Sequence, residues 1–145
     1  MLAGLDRVAE ARRAYELALA RNPHFPEALV NLGNLEFLAE NYGGAKSHYL
    51  AALEARHGTP EALNGLGGIA EAMKDPAGAM DHFRSAIAAN RNYLPSLLSF
   101  ARIANVSGEN IGEGIGYCRT ALTLEPENAE IYALLGALLL RQGLD

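Results

Sequence analysis

Residues 28–54 read ALVNLGNLEFLAENYGGAKSHYLAALE, and residues 62–88 read ALNGLGGIAEAMKDPAGAMDHFRSAIA. The second stretch repeats the first at a spacing of 34 residues: a Leu-Gly pair is followed by an alanine, an aromatic residue and another alanine at matching places. Self-similarity at a fixed period of this length is the sequence signature of repeat architectures. The pattern therefore predicts a chain built from stacked copies of one structural unit.

The pattern extends beyond these two stretches in both directions. Its alanine, aromatic and alanine positions, spaced by four and then three residues, are Ala11, Tyr15 and Ala18, then Ala45, Tyr49 and Ala52, then Ala79, Phe83 and Ala86. The fourth unit keeps Ala121 and Glu125-Pro126 one residue late, and the pair Leu135-Gly136 follows Leu66-Gly67 by two periods plus one residue. We attribute this shift to an insertion in the turn at residues 107–110. The repeat thus covers nearly the whole chain.

The apolar spacing within each unit is helical. Leu29, Leu32, Leu35 and Leu38 recur every three residues, close to the period of an α-helix. Prolines stand where a helix can begin, since the first helical turn needs no backbone N–H donor there. The pattern predicts eight helices, over residues 6–21, 26–40, 43–56, 60–73, 76–90, 94–107, 110–124 and 128–142.

Three glycines fall in the middle of predicted helices. Gly33, Gly67 and Gly136 each cost a helix about 1 kcal/mol relative to alanine. Such a cost is tolerable where two helices must approach closely. Because the alanine and aromatic positions share one face of the following helix, we expect the aromatic ring to fill the space that each glycine leaves open.

These residues resemble the tetratricopeptide repeat (TPR) family, whose 34-residue pattern is a bulky residue, Leu-Gly, another bulky residue, a small residue, an aromatic, alanine and proline. The resemblance spans residues 6–142. It implies an all-α, right-handed α-α superhelix of about eight antiparallel helices, with roughly four repeats and a half repeat at each end. The implied units are helix B of a partial repeat at 1–25, repeats at 26–59, 60–93 and 94–128, and helix A of a partial repeat at 129–145.

The composition argues against several classes of function. The chain has 145 residues, of which 50% are apolar. Its net charge of −5 disfavours binding to nucleic acid, because the phosphate groups bind best to a surface rich in lysine and arginine. A single cysteine permits no intramolecular disulfide. The longest apolar run, residues 131–140, is about half of the roughly 20 residues that a spanning helix needs. Without the residue order of a signal peptide at its start, the sequence favours a cytoplasmic protein with no membrane insertion.

No motif indicates catalysis, a cofactor or a metal. His48 and His82 stand at equivalent places in successive repeats, about 10 Å apart on the scale of helix packing, which is too far to share one zinc ion. Cys118 falls at the aromatic position of its unit and is expected to be a small buried residue. Residues 112–116, GEGIG, lack the strand and the third glycine of a phosphate-binding loop. We therefore expect no enzymatic activity.

The TPR resemblance implies a peptide-binding groove on the concave surface that the A helices line. The positions carried over to this sequence are Glu27, Val30, Asn31, Asn34, Phe37 and Leu38; then Glu61, Asn64, Gly68 and Glu71; then Leu98, Ser99, Arg102 and Asn105. An asparagine amide both donates and accepts, so it can hold a peptide backbone. Phe37 offers an apolar pocket, and Arg102 offers a bidentate partner for a carboxylate.

The groove lacks the charge of one known TPR ligand class. Chaperone-binding members of the family clamp a C-terminal carboxylate with several lysines and arginines plus asparagine. Here Val30 and Asn64 stand where lysine would serve, and Glu27 and Glu61 are acidic. The residues favour instead a peptide that carries basic and apolar side chains.

Three functions remain open at the level of sequence. The first is a protein-interaction scaffold that binds a peptide or protein segment in the groove. The second is a self-assembly module whose half repeats pair head-to-tail or by swapping; its contact residues are predicted to be Tyr132, Leu135, Leu138 and Leu139. The third is an accessory TPR region of a larger enzyme.

Overall fold

The computed structural model describes residues 2–144, with side chains from Gly4 onward. The outermost limits of the predicted units, residues 1 and 145, lie outside this range. Within it the chain forms eight α-helices and no strand, as the sequence predicts. They are α1 (Leu2–Arg21), α2 (Pro26–Leu38), α3 (Tyr42–Ala55), α4 (Pro60–Ala72), α5 (Pro76–Ala89), α6 (Leu94–Ser107), α7 (Ile111–Leu124) and α8 (Ala129–Leu144).

The helices pack mainly against their neighbours in the chain. The most extensive contacts join α2 to α3, α4 to α5 and α6 to α7, and these three helix pairs then stack on one another. The helix α1 packs on α2, and α8 packs on α7 and α6. The first helices of successive pairs, α2 beside α4 and α6 beside α8, also touch. This order produces a solenoid in which each pair is covered only by its neighbours.

The helix starts are fixed by local chemistry. Proline occupies the first turn of four helices, as predicted from the missing N–H donor; the residues are Pro26, Pro60, Pro76 and Pro95. The turns within the first two pairs end on a side-chain cap: Asn41 accepts from the backbone N–H of Gly44 at 3.2 Å, and Asp75 accepts from that of Gly78 at 2.9 Å.

The glycine and aromatic positions pack as the sequence predicts in two pairs. A Cβ at Gly33 would lie 2.6 Å from Cε1 of Tyr49, and a Cβ at Gly67 would meet the ring of Phe83 even more closely. Both rings are buried. Glycine is therefore required at these two places, because the ring of the following helix occupies the volume of any side chain.

The third glycine does not pack this way. A Cβ at Gly136 would meet no atom within 4 Å. Its surroundings differ because none of the described residues forms a helix that packs on this side of α8. The expectation of close packing at Gly136 is therefore not met within the described chain.

Candidate functional site

A cavity of about 400 Å³ opens between α2 and α4. Its lining combines residues of these two helices with side chains from α3 and from the turns that precede α4 and α6. The lining residues are Pro26, Glu27, Val30, Asn31, Asn34, Phe37, Tyr49, Arg56, Thr59, Glu61, Asn64, Gly65, Gly68 and Tyr93.

Most of the predicted groove residues of the first two repeats line this cavity. The structure brings together there Glu27, Val30, Asn31, Asn34, Phe37, Glu61, Asn64 and Gly68. They converge because α2 and α4 lie side by side and present equivalent faces. Leu38, at the end of α2, and Glu71, near the end of α4, are exposed and do not line the cavity.

The predicted groove residues of the third repeat lie outside the cavity. Leu98 is half-buried and packs against the core of the second half of the chain. Arg102 is exposed and donates from Nη2 to Oγ of Ser99 at 3.0 Å. Asn105 is half-buried. The role of these residues in binding, which the resemblance implies, is untested, and the cavity is formed without them.

In the cavity, the side-chain oxygens of two asparagines, Asn34 and Asn64, each accept a hydrogen bond. The hydroxyl of Tyr49 donates to Oδ1 of Asn34 at 2.6 Å, and Oγ of Ser96 donates to Oδ1 of Asn64 at 2.8 Å. An asparagine amide group also carries two N–H donors. Since the oxygens are engaged, both side chains present oriented N–H donors, which match the carbonyl oxygens of an extended peptide.

The mouth of the cavity carries a mildly acidic charge. Oε1 of Glu27 accepts from Nη1 of Arg56 at 3.0 Å. A backbone hydrogen bond, assisted by Arg56, lowers the pKa of Glu27, so this carboxylate stays ionised at neutral pH. The second carboxylate, Glu61, lines the cavity without an ion pair among residues 4–144. The net local charge is therefore negative, and it favours a ligand with a basic group.

Two tyrosines line the cavity as neutral groups. Burial raises the pKa of Tyr49 to about 12, and burial together with the nearby Glu61 raises the pKa of Tyr93 to about 12. Both phenols therefore keep their protons at neutral pH and act as hydrogen-bonding groups.

One wall of the cavity is apolar and is formed by Val30, Phe37 and Gly68. Phe37 packs edge-on against Tyr42 with ring centroids 5.4 Å apart, and Val30 is only 7% exposed. Gly68 leaves the α4 side open, and a Cβ there would lie 3.6 Å from the Phe37 ring, an ordinary contact distance; at Gly65 the space is already filled by the Tyr49 ring. This wall can accept an apolar side chain.

Sequence reasoning missed six contributors to the cavity: Pro26, Tyr49, Arg56, Thr59, Gly65 and Tyr93. Tyr49 was expected only as a core ring, but its hydroxyl reaches Asn34. A signal for this was present in the sequence, since Tyr49 carries a hydroxyl where the next repeat has Phe83. Arg56, Thr59 and Tyr93 lie in turns, to which the pattern of the A helices does not extend. Pro26 and Gly65 lie in α2 and α4 but were not among the groove positions that the resemblance implies.

The predicted self-association residues lie on different sides of α8. Tyr132 is 53% exposed and Leu139 is 42% exposed, while Leu135 is half-buried against the core. Leu138 is fully buried in the core that α5–α8 share. Leu138 therefore has no surface for a second chain, and its placement among the contact residues is corrected.

The residues considered for other chemistry are structural. Burial raises the pKa of the Cys118 thiol to about 11, so Cys118 is a core residue, as expected. Residues 112–116 lie within α7 and form no phosphate-binding loop. From residue 4 to residue 144, the acidic, histidine and cysteine side chains form no group of three that could hold a metal. None of the helices between residues 2 and 144 is long and apolar enough to cross a membrane.

Stacked antiparallel helix pairs with a concave cavity define a helical-repeat solenoid. The family model for the tetratricopeptide repeat matches residues 2–58 and 39–93, so the chain belongs to the TPR family. No curated protein matches the chain.

Solved structures with a similar fold are TPR proteins. A crystal structure of MamA is 21% identical, with a TM-score of 0.75 over 98% of this chain and 77% of that one. The first TPR of Spaghetti (RPAP3), bound to the HSP90 peptide SRMEEVD, is 23% identical, with a TM-score of 0.70 over 82% of this chain and 94% of that one. YrrB, described as a TPR protein with an unusual peptide-binding site, is 19% identical, with a TM-score of 0.71 over 98% and 73%. These likenesses establish the fold.

Proposed function

We propose that this protein is a non-enzymatic interaction scaffold that binds an extended peptide segment in the cavity between α2 and α4. The observation that carries the proposal is the pair of asparagines, Asn34 and Asn64, whose amide groups are oriented by Tyr49 and Ser96. Side chains that are already fixed lose little rotamer freedom on binding, and such preorganisation favours affinity. Two similar TPR structures are described as binding peptides, which supports a protein ligand here.

The charge of the cavity favours a peptide with basic and apolar side chains. The RPAP3 ligand SRMEEVD ends in acidic residues. Here a peptide of that composition would meet Glu61, while Arg56, which also lines the cavity, is paired with Glu27. A basic side chain near Glu61, with an apolar one against Phe37, would match both walls.

Fluorescence anisotropy with three sets of labelled peptides tests the proposal. All sets share the same apolar residues and differ in carrying arginine, glutamate or neither. We expect binding to be tightest for the arginine set, and Asn64→Ala to weaken it about five- to tenfold, which corresponds to a hydrogen bond of about 1–1.5 kcal/mol. The matched control is Asn105→Ala, because Asn105 is also an A-helix asparagine but lies outside the cavity.

Two results would count against the proposal. Equal affinity of the wild type and Asn64→Ala for a peptide that does bind would place the ligand elsewhere. Tightest binding of the glutamate set would leave a peptide scaffold but overturn the assignment of ligand charge.

A further inference from the structure

We propose that α8 of one copy packs against α1 of a second copy, so that the two helices complete a pair across the junction. This inference concerns the ends of the solenoid and is independent of ligand binding in the cavity. It rests on two helix faces that are exposed at the ends although every equivalent face inside the chain is covered.

The exposed face of α8 corresponds to faces of α2, α4 and α6 whose residues are buried or half-buried. Tyr132 of α8 is 53% exposed, whereas Leu97, at the equivalent position of α6, is fully buried. Two turns further, Leu139 is 42% exposed, whereas its counterpart Ala104 is fully buried. In α2, α4 and α6 this face is covered by the second helix of the same pair.

A space of defined shape lies on this face of α8. Gly33 and Gly67 each receive the aromatic ring of the following helix. Gly136 holds the equivalent position on α8, and a Cβ added there would have nothing within 4 Å. Among residues 2–144, no helix covers this face with an aromatic ring at the level of Gly136, as α3 and α5 do at Gly33 and Gly67.

The helix α1 carries the complementary pattern. Ala11, Tyr15 and Ala18 repeat the alanine, aromatic and alanine positions of α3 and α5. They are only half-buried, whereas all six equivalents in α3 and α5 are buried. The helix α1 packs on α2. The face of α1 that stays partly exposed is the one that, in α3 and α5, packs against the first helix of the same pair.

The two faces match in further contacts. Within the first complete pair, Phe37 meets Tyr42 edge-on; the equivalent residues at the junction are Leu140, 66% exposed, and Val8, 46% exposed. The ion pair of Glu27 with Arg56 is matched only approximately, because the position equivalent to Arg56 is Asn22. Glu130 stands at the position of Glu27 on α8, and Arg21 of α1 lies one residue before the position equivalent to Arg56.

The occupant we assign is a second copy of this chain. The contact would use different surfaces on the two chains, with α8 on one and α1 on the other. Such a heterologous contact leaves a free α1 and a free α8 on every open assembly, so it builds rings or open filaments rather than a closed two-fold dimer.

Sedimentation velocity across a dilution series, up to the solubility limit, tests the inference. We expect the mass of the wild type to rise above 15.5 kDa with concentration, and Gly136→Gln to remain a monomer, because its side chain fills the place of Tyr15. The chain itself leaves room for that side chain. The matched control is Gly116→Gln, since Gly116 is also exposed, lies mid-helix and has nothing within 4 Å; it should assemble like the wild type.

A mixing experiment tests the head-to-tail geometry. Val8→Glu blocks the α1 face and leaves α8 free, whereas Gly136→Gln does the reverse. Each variant alone should be a monomer, and the mixture should form a one-to-one dimer that grows no further. If Gly136→Gln fails to fold by circular dichroism, Leu140→Glu replaces it at an exposed position of the same face.

Three results would overturn the proposal. A wild type that stays monomeric at every concentration means that these faces do not bind a second copy, and would direct the search to another occupant. Assembly that survives Gly136→Gln or Leu140→Glu in a folded chain places the contact elsewhere. Assembly of Val8→Glu alone, with loss in Gly136→Gln, shows an α8–α8 contact instead.

Discussion

Two regions of this solenoid use the same repeat with different side-chain volumes at one pair of facing positions. In the pairs α2–α3 and α4–α5, a glycine of the first helix faces a large aromatic ring of the second, Gly33 against Tyr49 and Gly67 against Phe83. In the pair α6–α7, alanine stands at the glycine position and cysteine at the aromatic position, as Ala101 and Cys118, both fully buried. The comparison shows that this pair of buried positions accepts either a glycine facing a ring or two small side chains.

The groove-facing sides of the two regions differ as well. Gly68 of α4 leaves room for the cavity and Gly65 leaves room for the Tyr49 ring, whereas the equivalent residues of α6 are Ser99 and Arg102. The cavity therefore lies where glycine replaces side chains on the concave face and where Tyr49 and Tyr93 close its sides. Peptide binding is expected from the first region and not from the second.

Truncation of the packed ring should give the largest effect. Phe83→Ala removes a ring that is 1% exposed, and we expect the free energy of unfolding to fall by about 3–5 kcal/mol. Cys118→Ala, at the equivalent place, should cost only about 1 kcal/mol because little apolar surface is removed. Urea denaturation measures both, and equal losses would contradict the difference in packing.

A larger side chain at position 118 should lower the free energy of unfolding unless the facing residue, Ala101, is made smaller. Cys118→Phe places a ring where Ala101 leaves no gap, and overpacking costs about 1–3 kcal/mol. The double variant with Ala101→Gly recreates the arrangement of Gly67 and Phe83, so it should recover part of this loss. A double-mutant cycle measures the coupling, and strict additivity would contradict an exchange of volume between the two positions.

Much of the fold was predictable from the sequence, and the reason is periodicity. The glycine and aromatic positions recur every 34 residues, so the packing of Gly33 on Tyr49 and of Gly67 on Phe83 followed from the pattern. The eight helices followed from the apolar spacing and from the prolines at helix starts.

The cavity residues could be predicted from the sequence only where they lie within a helix that follows the repeat pattern. The α2 residues from Glu27 to Phe37 were assigned to the groove and line the cavity. Tyr93 was missed because it lies in a turn. Leu138 was misplaced because α8 carries leucine on several faces, at 134, 135, 138, 139 and 140, and an apolar residue alone does not reveal which face the core covers.

Filling the cavity should abolish binding and leave the fold intact. Gly68→Leu adds a side chain toward Phe37, where a Cβ lies at an ordinary contact distance of 3.6 Å. We expect peptide affinity to fall at least about tenfold, or about 1.4 kcal/mol, with an unchanged circular dichroism spectrum. Arg102→Ala, at the equivalent position of α6, serves as the control and should bind normally; the opposite outcome would move the site to the second region.

The smallest expected effect belongs to an ion pair of the second region. Nε and Nη2 of Arg84 donate to the carboxylate of Glu113 at 2.7 and 2.9 Å, and this contact, together with the hydroxyl of Tyr117, lowers the pKa of Glu113. Because the pair is partly exposed, Glu113→Gln should cost no more than about 1 kcal/mol at neutral pH.

The pH dependence of that variant follows from the sign of the shift. A carboxyl whose pKa is lowered by folding stabilises the protein above its ordinary pKa, and the stabilisation is lost as the pH falls through the lowered value. The difference between the wild type and Glu113→Gln should therefore shrink in acid, as measured by thermal denaturation. A difference that is constant with pH would show that the carboxylate charge contributes nothing.

The central claim is that the cavity between α2 and α4 binds a basic, apolar peptide through Asn34 and Asn64. Titration of the ¹⁵N-labelled protein with the arginine-containing peptides, followed by heteronuclear NMR, tests it directly because the asparagine side-chain amides are observed as separate signals. The account predicts that the amide signals of Asn34 and Asn64 shift on binding, while that of Asn105 stays unchanged. Shifts confined to α6, with those of Asn34 and Asn64 unmoved, would contradict it.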